Sequence, residues 1–318
     1  MLDKISIHND FSNDLKKIWD TLANNNSPFL KFYMHKEWFD SFGHPDSLII
    51  INHSDKLIVP VVNNNGNAEI TGGQDLFDFH DFVYSDMLSF GKIKDVFDYC
   101  FSVLKIKKFT ISSVIQGSPI HNHIAKLCQQ SNFELQSNIE DVSPYIILPS
   151  TFEEYLMQLS KKNRHEIRRK INKLELSGEV SFKTCSKEEV KDLVNIFFEL
   201  MLHNPEKEAF LTKERKSFMK NIIINAVENN FGELNFLNFN NKPVATTFVF
   251  KQSHKISVYN SGYDPSYSYL SVGLISHILN IKKYVGKVPE IDFLRGSEDY
   301  KFRIGCISRN LLTLEISN

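Results

Sequence analysis

The order in which hydrophobic patterns succeed one another constrains this chain more than any single motif. Residues 11–24 carry Phe11, Leu15, Ile18, Trp19 and Leu22 at helical spacing, and Phe32 to Phe42 reads as a second short helix. Two β-rich runs, Ser47–Asn52 and Lys56–Val62, are separated by the hairpin signal His53-Ser54-Asp55. Asn63-Asn64-Asn65-Gly66 then turns into a third strand near Asn67–Thr71. A helix over 87–105, a strand over 108–115, a helix over 118–131 and strands at Phe133–Gln136 and Pro144–Leu148 complete the first half. The second half repeats this order. A long helix runs from Thr151, with Glu154 placed for a capping box, to about Leu176. A strand at Val180–Thr184, helices at 187–203 and 212–229, and three strands at Glu233–Phe239, Lys242–Lys251 and Lys255–Ser261 follow. Asn240-Asn241 turns between the first two of those strands. A helix over 271–285, a strand at Glu290–Leu294, a short helical turn and a last strand at Arg309–Ile316 end the chain. The expected fold class is therefore α/β (α+β): two tandem domains, 1–150 and 151–318, each a mixed, mainly antiparallel sheet flanked by helices.

Charge separates the two halves. Residues 1–150 hold 12 Lys, no Arg and 18 Asp or Glu, whereas residues 151–318 hold 18 Lys, all 7 Arg and 20 Asp or Glu. Arg presents a planar fork suited to phosphate and carboxylate, so anion handling is expected in the second half. Cys100, Cys128, Cys185 and Cys306 show no paired spacing, which argues against a disulfide framework or a zinc knuckle. No leader-like or membrane-spanning apolar run is present, and the expectation is a cytoplasmic protein with no transmembrane segment. His121-Asn122-His123 reads as a surface feature. No HExxH and no paired carboxylate spacing is present, so no metal is expected, and no GxSxG elbow supports Ser/His/Asp catalysis.

Three stretches of the second half carry chemistry. On the first helix Lys161, Arg164, His165 and Arg168 cluster on one face, flanked by Lys162, Arg169 and Lys173, away from an apolar stripe that includes Ile167, Ile171 and Leu174. Such a face suits a pyrophosphate, a nucleotide-sugar or an RNA backbone; the plain alternative is a solvated face stabilised by i,i+4 pairs. Asp264-Pro265-Ser266-Tyr267-Ser268-Tyr269-Leu270-Ser271-Val272-Gly273 leaves a strand and enters a helix. Helix N-termini bind anions through unpaired N–H groups, with Ser271 as the candidate cap and Gly273 permitting close approach. Neither a GxGxxG nor a P-loop spacing is present there. Finally, Ile291-Asp292-Phe293-Leu294-Arg295-Gly296 reads as a strand and its end, followed by Glu298, Tyr300 and Lys301. A carboxylate can take a proton from an attacking ammonium and a phenol can protonate a thiolate; the alternative is a surface turn.

Together, Leu159–Leu174, Tyr259–Gly273 and Asp292–Gly305 resemble the acetyltransferase group named after a cellulose-biosynthesis protein (CelD/BcsL-like), of the GNAT superfamily and related to the FemABX peptidyltransferases. The resemblance implies tandem GNAT-like domains, the first degenerate and the second carrying the donor site. The acidic, aromatic segment 72–90, which opens Gly72-Gly73-Gln74-Asp75-Leu76-Phe77-Asp78-Phe79-His80-Asp81-Phe82, is a poor phosphate cradle, in keeping with that. The Gln/Arg-x-x-Gly-x-Gly/Ala loop usual in the superfamily is absent from 264–273. The implied activity is N-acyl transfer from acyl-CoA (acetyl-CoA) as co-substrate to an amine of a sugar, nucleotide-sugar or cell-envelope precursor. Glu298 or Asp292 would deprotonate the amine and Tyr300 would protonate the thiolate. Tyr267, Ser271, Val272 and Gly273 would hold the donor, and Lys161, Arg164, Arg168 and Lys301 would hold anionic substrate groups. The alternatives are an aminoacyl-tRNA-dependent peptidyltransferase, which makes tRNA a partner, and a non-catalytic binding protein on the same scaffold. No DNA partner is expected.

Overall fold

The computed structural model describes residues 4–23, 27–85 and 87–318. Two positions of the sequence reading, Asn24 at the end of the first helix and Asp86 in the acidic segment, lie outside the described residues. The chain forms two compact units: Met1–Val142 with Arg309–Asn318, and Ser143–Ser308.

The first unit contains β1 (Ile5–His8), α1 (Asn13–Leu22), α2 (Phe32–Phe42), β2 (Leu48–His53), β3 (Leu57–Asn64), β4 (Asn67–Ile70), α3 (Phe90–Ser102), β5 (Lys108–Ile115), α4 (Pro119–Gln130) and most of β6 (Glu134–Ile147). The second contains α5 (Phe152–Gln158), α6 (Lys161–Ser177), β7 (Val180–Thr184), α7 (Val190–Leu202), α8 (Pro205–Phe210), α9 (Lys213–Glu228), β8 (Gly232–Phe239), β9 (Lys242–Lys251), β10 (Lys255–Tyr263), α10 (Val272–Tyr284), β11 (Glu290–Asp292) and α11 (Asp299–Arg303). The last strand, β12 (Ile307–Ser317), pairs antiparallel with β5, so it completes the first unit.

Each unit is a mixed, mainly antiparallel sheet flanked by helices, as the sequence implied. In the first, the strand order is β1-β2-β3-β4-β5-β12-β6. Only β4 and β5 run parallel among its registered pairs, with Asn67–Glu69 beside Lys108–Thr110. In the second, the end of β6 is followed by β11-β10-β9-β8-β7, with β10 and β11 parallel over Lys255–Ser257 and Glu290–Asp292. The β8–β9 hairpin closes on Asn240 and Asn241, both left-handed at φ 49° and 62°. That turn matches strand twist and is tolerated by asparagine. The core of the first unit packs α3 and α4 against the sheet through Ile93, Val96, Phe97, Ile124, Phe109 and Leu314. A second cluster gathers α1 around Trp19, whose indole N–H donates to Leu30 O at 2.7 Å. The second unit buries Ile278 and Ile281 of α10 against Val249, Ile256 and Ile291.

Four local features differ from the sequence reading. The long helix over 151–176 is two helices. The Thr151–Glu154 capping box forms, but Leu159 is extended (φ −76°, ψ 152°) and Ser160 caps a new helix by accepting from Asn163 N at 3.2 Å. Its hydroxyl competes with the helical bond pattern, as serine does wherever a cap is possible. The two strands read at 133–136 and 144–148 are one strand, β6. Strand β1 and helix α8 were not anticipated. Helix α8 nevertheless carries a start signature, with Asn204 accepting from Glu206 N and Pro205 at the first helical position.

Candidate functional site

The cleft of the second unit begins where its parallel pair parts. β11 stops at Asp292 while β10 runs on to Tyr263, and the β9–β10 register shifts between Val258 and Asn260. A bulge of this kind bends the strand and disrupts its ladder. In α/β sheets the crevice beyond the carboxyl ends of parallel strands is where ligands collect.

The turn after β11 is held from both sides. Leu294 adopts the left-handed region at φ 56°, a conformation sparsely populated for a γ-branched residue. Asp292 is fully buried; it accepts from Leu294 N at 2.9 Å and Ser143 Oγ at 3.0 Å and lies 3.4 Å from Lys255 Nζ. Lys301, also buried, donates to Arg295 O at 2.8 Å and Gly296 O at 3.0 Å, and pairs with Glu298 Oε2 at 2.9 Å. Asp292 and Lys301 thus fix the loop itself. Glu298 is the exposed carboxylate at its rim. Tyr300 is half-buried and stacks on His277, with ring centroids 4.9 Å apart. Burial, Glu298 and Cys306 raise its phenol pKa, so the hydroxyl stays protonated.

Two residues that the sequence reading missed complete this group. Lys207 of α8 donates to Asn260 Oδ1 at 2.7 Å and to Ser261 O at 2.5 Å on β10. Burial and the neighbouring Lys301 push its pKa down to about 8, against the opposing pull of Glu298. His277 of α10 is buried beside Phe293 and Tyr300. Burial, Lys207 and Lys301 push its pKa down to about 3, which makes it neutral. Asn204-Pro205-Glu206 could have revealed α8, but nothing in sequence ties it to β10. His277 sits in an apolar helical run and gave no signal.

The donor-side residues lie where β10 ends. A 3₁₀ turn over Pro265–Leu270 leads to Ser271, which is left-handed (φ 59°, ψ 34°). Ser271 does not cap α10 with its side chain, contrary to expectation; its hydroxyl instead accepts from Lys170 Nζ at 3.1 Å. The first N–H groups of α10 have no intrahelical acceptor, and Lys170 stands beside them. At Gly273 a Cβ would lie 2.8 Å from the Tyr263 ring, so packing alone already favours glycine there. Val272 is buried in the core, and Tyr267 packs edge-on against Phe239 at 5.9 Å.

The break at Ser160 moves the basic cluster to a helix start. Lys161, Lys162 and Arg164 occupy the first turn of α6, where the helix dipole disfavours each cation by roughly 0.3–1 kcal/mol. Arg164 reaches Met157 O at 3.5 Å, Arg168 pairs with Glu153, and Arg169 grips Glu166 through two hydrogen bonds. Lys161 is exposed. Within the 264–273 segment, Lys170 donates to Ser271 Oγ and Lys173 to Tyr269 O at 2.8 Å, while Leu174 packs with Leu270 and Val272.

Residues 161–302, within the second unit, match the family model of the acetyltransferase (GNAT) domain. The whole chain shares its fold with several solved structures. A conserved protein of unknown function from Bacteroides thetaiotaomicron VPI-5482 aligns over 99% of this chain and 100% of its own, at 13% identity and a TM-score of 0.64. FemX aligns over 97% of this chain and 96% of its own, at 10% identity and 0.63. The C-terminal domain of a proposed lysylphosphatidylglycerol synthetase from Agrobacterium fabrum aligns over 97% and 93%, at 10% identity and 0.61. At such identities the likeness is one of fold. No curated protein matches the sequence. Among the described residues no helix is long and apolar enough to cross a membrane.

Proposed function

We propose that this protein transfers an acyl group from a coenzyme A thioester to an amino group of a sugar, nucleotide-sugar or cell-envelope precursor. The observation that carries this reading is the parting of β10 from β11 at the same sheet end as the start of α10. The first N–H groups of α10 and Lys170 would hold the donor's pyrophosphate. The thioester supplies an activated carbonyl, and the remaining work is positioning, which alone can lower a barrier by about 7–11 kcal/mol.

The incoming amine must lose a proton. Glu298 is the exposed carboxylate at the rim and is assigned as the base, directly or through one water. Asp292, read as its alternative in the sequence, is occupied by the β11 turn. Tyr300 faces the departing sulfur in this reading. Its raised pKa lies above the roughly 8.5 of an ordinary thiol, so complete proton transfer to the thiolate is uphill. Tyr300 is therefore assigned a hydrogen bond to the developing thiolate, with the proton supplied by solvent.

The test is thermal stabilisation of the protein by acetyl-CoA and longer acyl-CoAs, followed by thiol release with a panel of amines. A saturable rise in melting temperature and amine-dependent thiol release support the reading; no shift with any acyl-CoA overturns it. A second reading rests on the cations in the first turn of α6, which suit a polyanion and hence an aminoacyl-tRNA donor. It predicts tRNA binding that weakens steeply as salt rises.

A further inference from the structure

Lys207 holds its charge in an unusual way. Its ammonium donates to two neutral acceptors, Asn260 Oδ1 and Ser261 O, and among the described residues no carboxylate lies within ion-pair distance of it. An ammonium has three donors, so one N–H has no assigned acceptor. The neighbouring Lys301 differs, because Glu298 neutralises it at 2.9 Å. The group therefore carries one uncompensated positive charge. His277, 5% exposed, stacks on Tyr300 beside Lys301 within reach of the Lys207 charge, and its Nδ1 is buried and makes no hydrogen bond among the described residues. Leaving such a group unpaired is destabilising, and a bound ligand would relieve it.

We propose that Lys207 and His277 together receive a carboxylate borne by one of the two substrates, so that the protein acts on an amino-acid-like amine or carries a dicarboxylic acyl group. The inference rests on the transfer reading only in calling the bound molecule a substrate. One ammonium N–H and one imidazole N–H match the two oxygens of a carboxylate, and a single negative charge matches the single uncompensated positive one. A phosphate would bring a further charge and a further oxygen, and the donors suited to it lie at the start of α10. Because His277 is neutral, it offers a hydrogen bond without adding charge, which suits a monoanion.

Equilibrium calorimetry tests this without requiring turnover. One arm compares the proteinogenic amino acids with their C-terminal amides; the other compares succinyl-CoA with acetyl-CoA. In one arm the wild-type protein should prefer the carboxylate-bearing member by about tenfold to a hundredfold, the range for a hydrogen bond to a charged group. Lys207→Met should erase that preference while leaving the affinity for acetyl-CoA unchanged. Lys207→Gln, which keeps a polar end while removing the charge, guards against misfolding and should also lose it. Equal affinity of acids and amides in the first arm, together with equal affinity of the two thioesters in the second, overturns the proposal. So does a preference that survives Lys207→Met. Binding of acetyl-CoA with no carboxylate preference sinks this inference and leaves the transfer reading standing. A Lys207-dependent preference for amino acids in a protein that binds no acyl-CoA does the reverse.

Discussion

The two units open their parallel strand pairs in the same way and then treat the gap oppositely. In the first, β4 ends at Ile70 while β5 continues to Ile115, and the chain folds its own loop into the gap. His80 donates from its backbone to Ser113 O at 3.4 Å and lies 3.1 Å from Ser112 O through Nδ1. Phe77 stacks on His80, and a Cβ at Gly72 would strike that phenylalanine at 2.5 Å. Thr71 faces His35 Nδ1 at 2.5 Å. In the second unit the loop after β10 winds into a 3₁₀ turn and starts α10 instead, and the polar groups gathered nearby are Lys207 bonded to β10, His277 stacked on Tyr300, and Glu298 paired with Lys301. The same backbone opening serves as a hydrophobic plug in one unit and as a polar cleft in the other, and the sequence between the strand and the following helix decides which.

The largest effect is expected from Glu298→Gln, which should lower kcat by about 10²- to 10⁴-fold with little change in the donor's KM. A pH–rate profile that keeps its acidic limb in the variant would remove Glu298 from the role of base. Lys170→Ala should raise the KM for acetyl-CoA about tenfold with kcat retained, since it removes one charged hydrogen-bond donor. Titration of carboxylate probes against pH addresses Lys207, which faces Glu298, Lys301 and His277. Affinity should fall above about pH 8 as its ammonium deprotonates.

The remaining predictions concern the plug. His80→Ala should cost about 2 kcal/mol, lowering the melting temperature by roughly 4–8 °C while leaving kcat and both KM values unchanged. A kinetic defect would show that the first unit's gap is not merely filled. The smallest effect is expected from Asp81→Asn. Burial pushes the Asp81 carboxyl up to about 7, against hydrogen bonds from Phe82 N–H and the Tyr84 hydroxyl. Its raised pKa stabilises the fold at acid pH, and that contribution is lost as pH rises from about 4 to 7. The asparagine variant should therefore melt about 2–4 °C higher at pH 8, with the gain vanishing near pH 4. A gain independent of pH would contradict this.

Much of this contrast was legible before any coordinates. The order of helices and strands in each half follows from period-two and period-3.6 patterns, because a half-buried strand and a surface helix must alternate their apolar residues. The acidic, aromatic run at 72–90 was legible as a poor phosphate cradle. Other features were not. Leu159-Ser160 sits within a continuous helical pattern, and only the cap geometry shows that one helix ends and another begins. Lys207 and Asn260 meet across fifty-three residues, a pairing that no spacing rule reveals. Asp292 reads as a candidate base and Lys301 as an anion-binding group because charged side chains at strand ends often serve chemistry. Their burial and their bonds within the turn, Asp292 to Leu294 N and Lys301 to Arg295 O and Gly296 O, were not legible from spacing.

The route of β12 has a consequence for how the molecule is made. Its partner β5 ends at Ile115, yet the residues that pair with it begin at Leu311. During synthesis the second unit is contiguous and can close as soon as it leaves the ribosome. The first unit must wait, with one edge of β5 unpaired, until residues 311–317 have emerged. Unpaired strand edges template aggregation, so nascent chains truncated before residue 309 are the forms most dependent on chaperones.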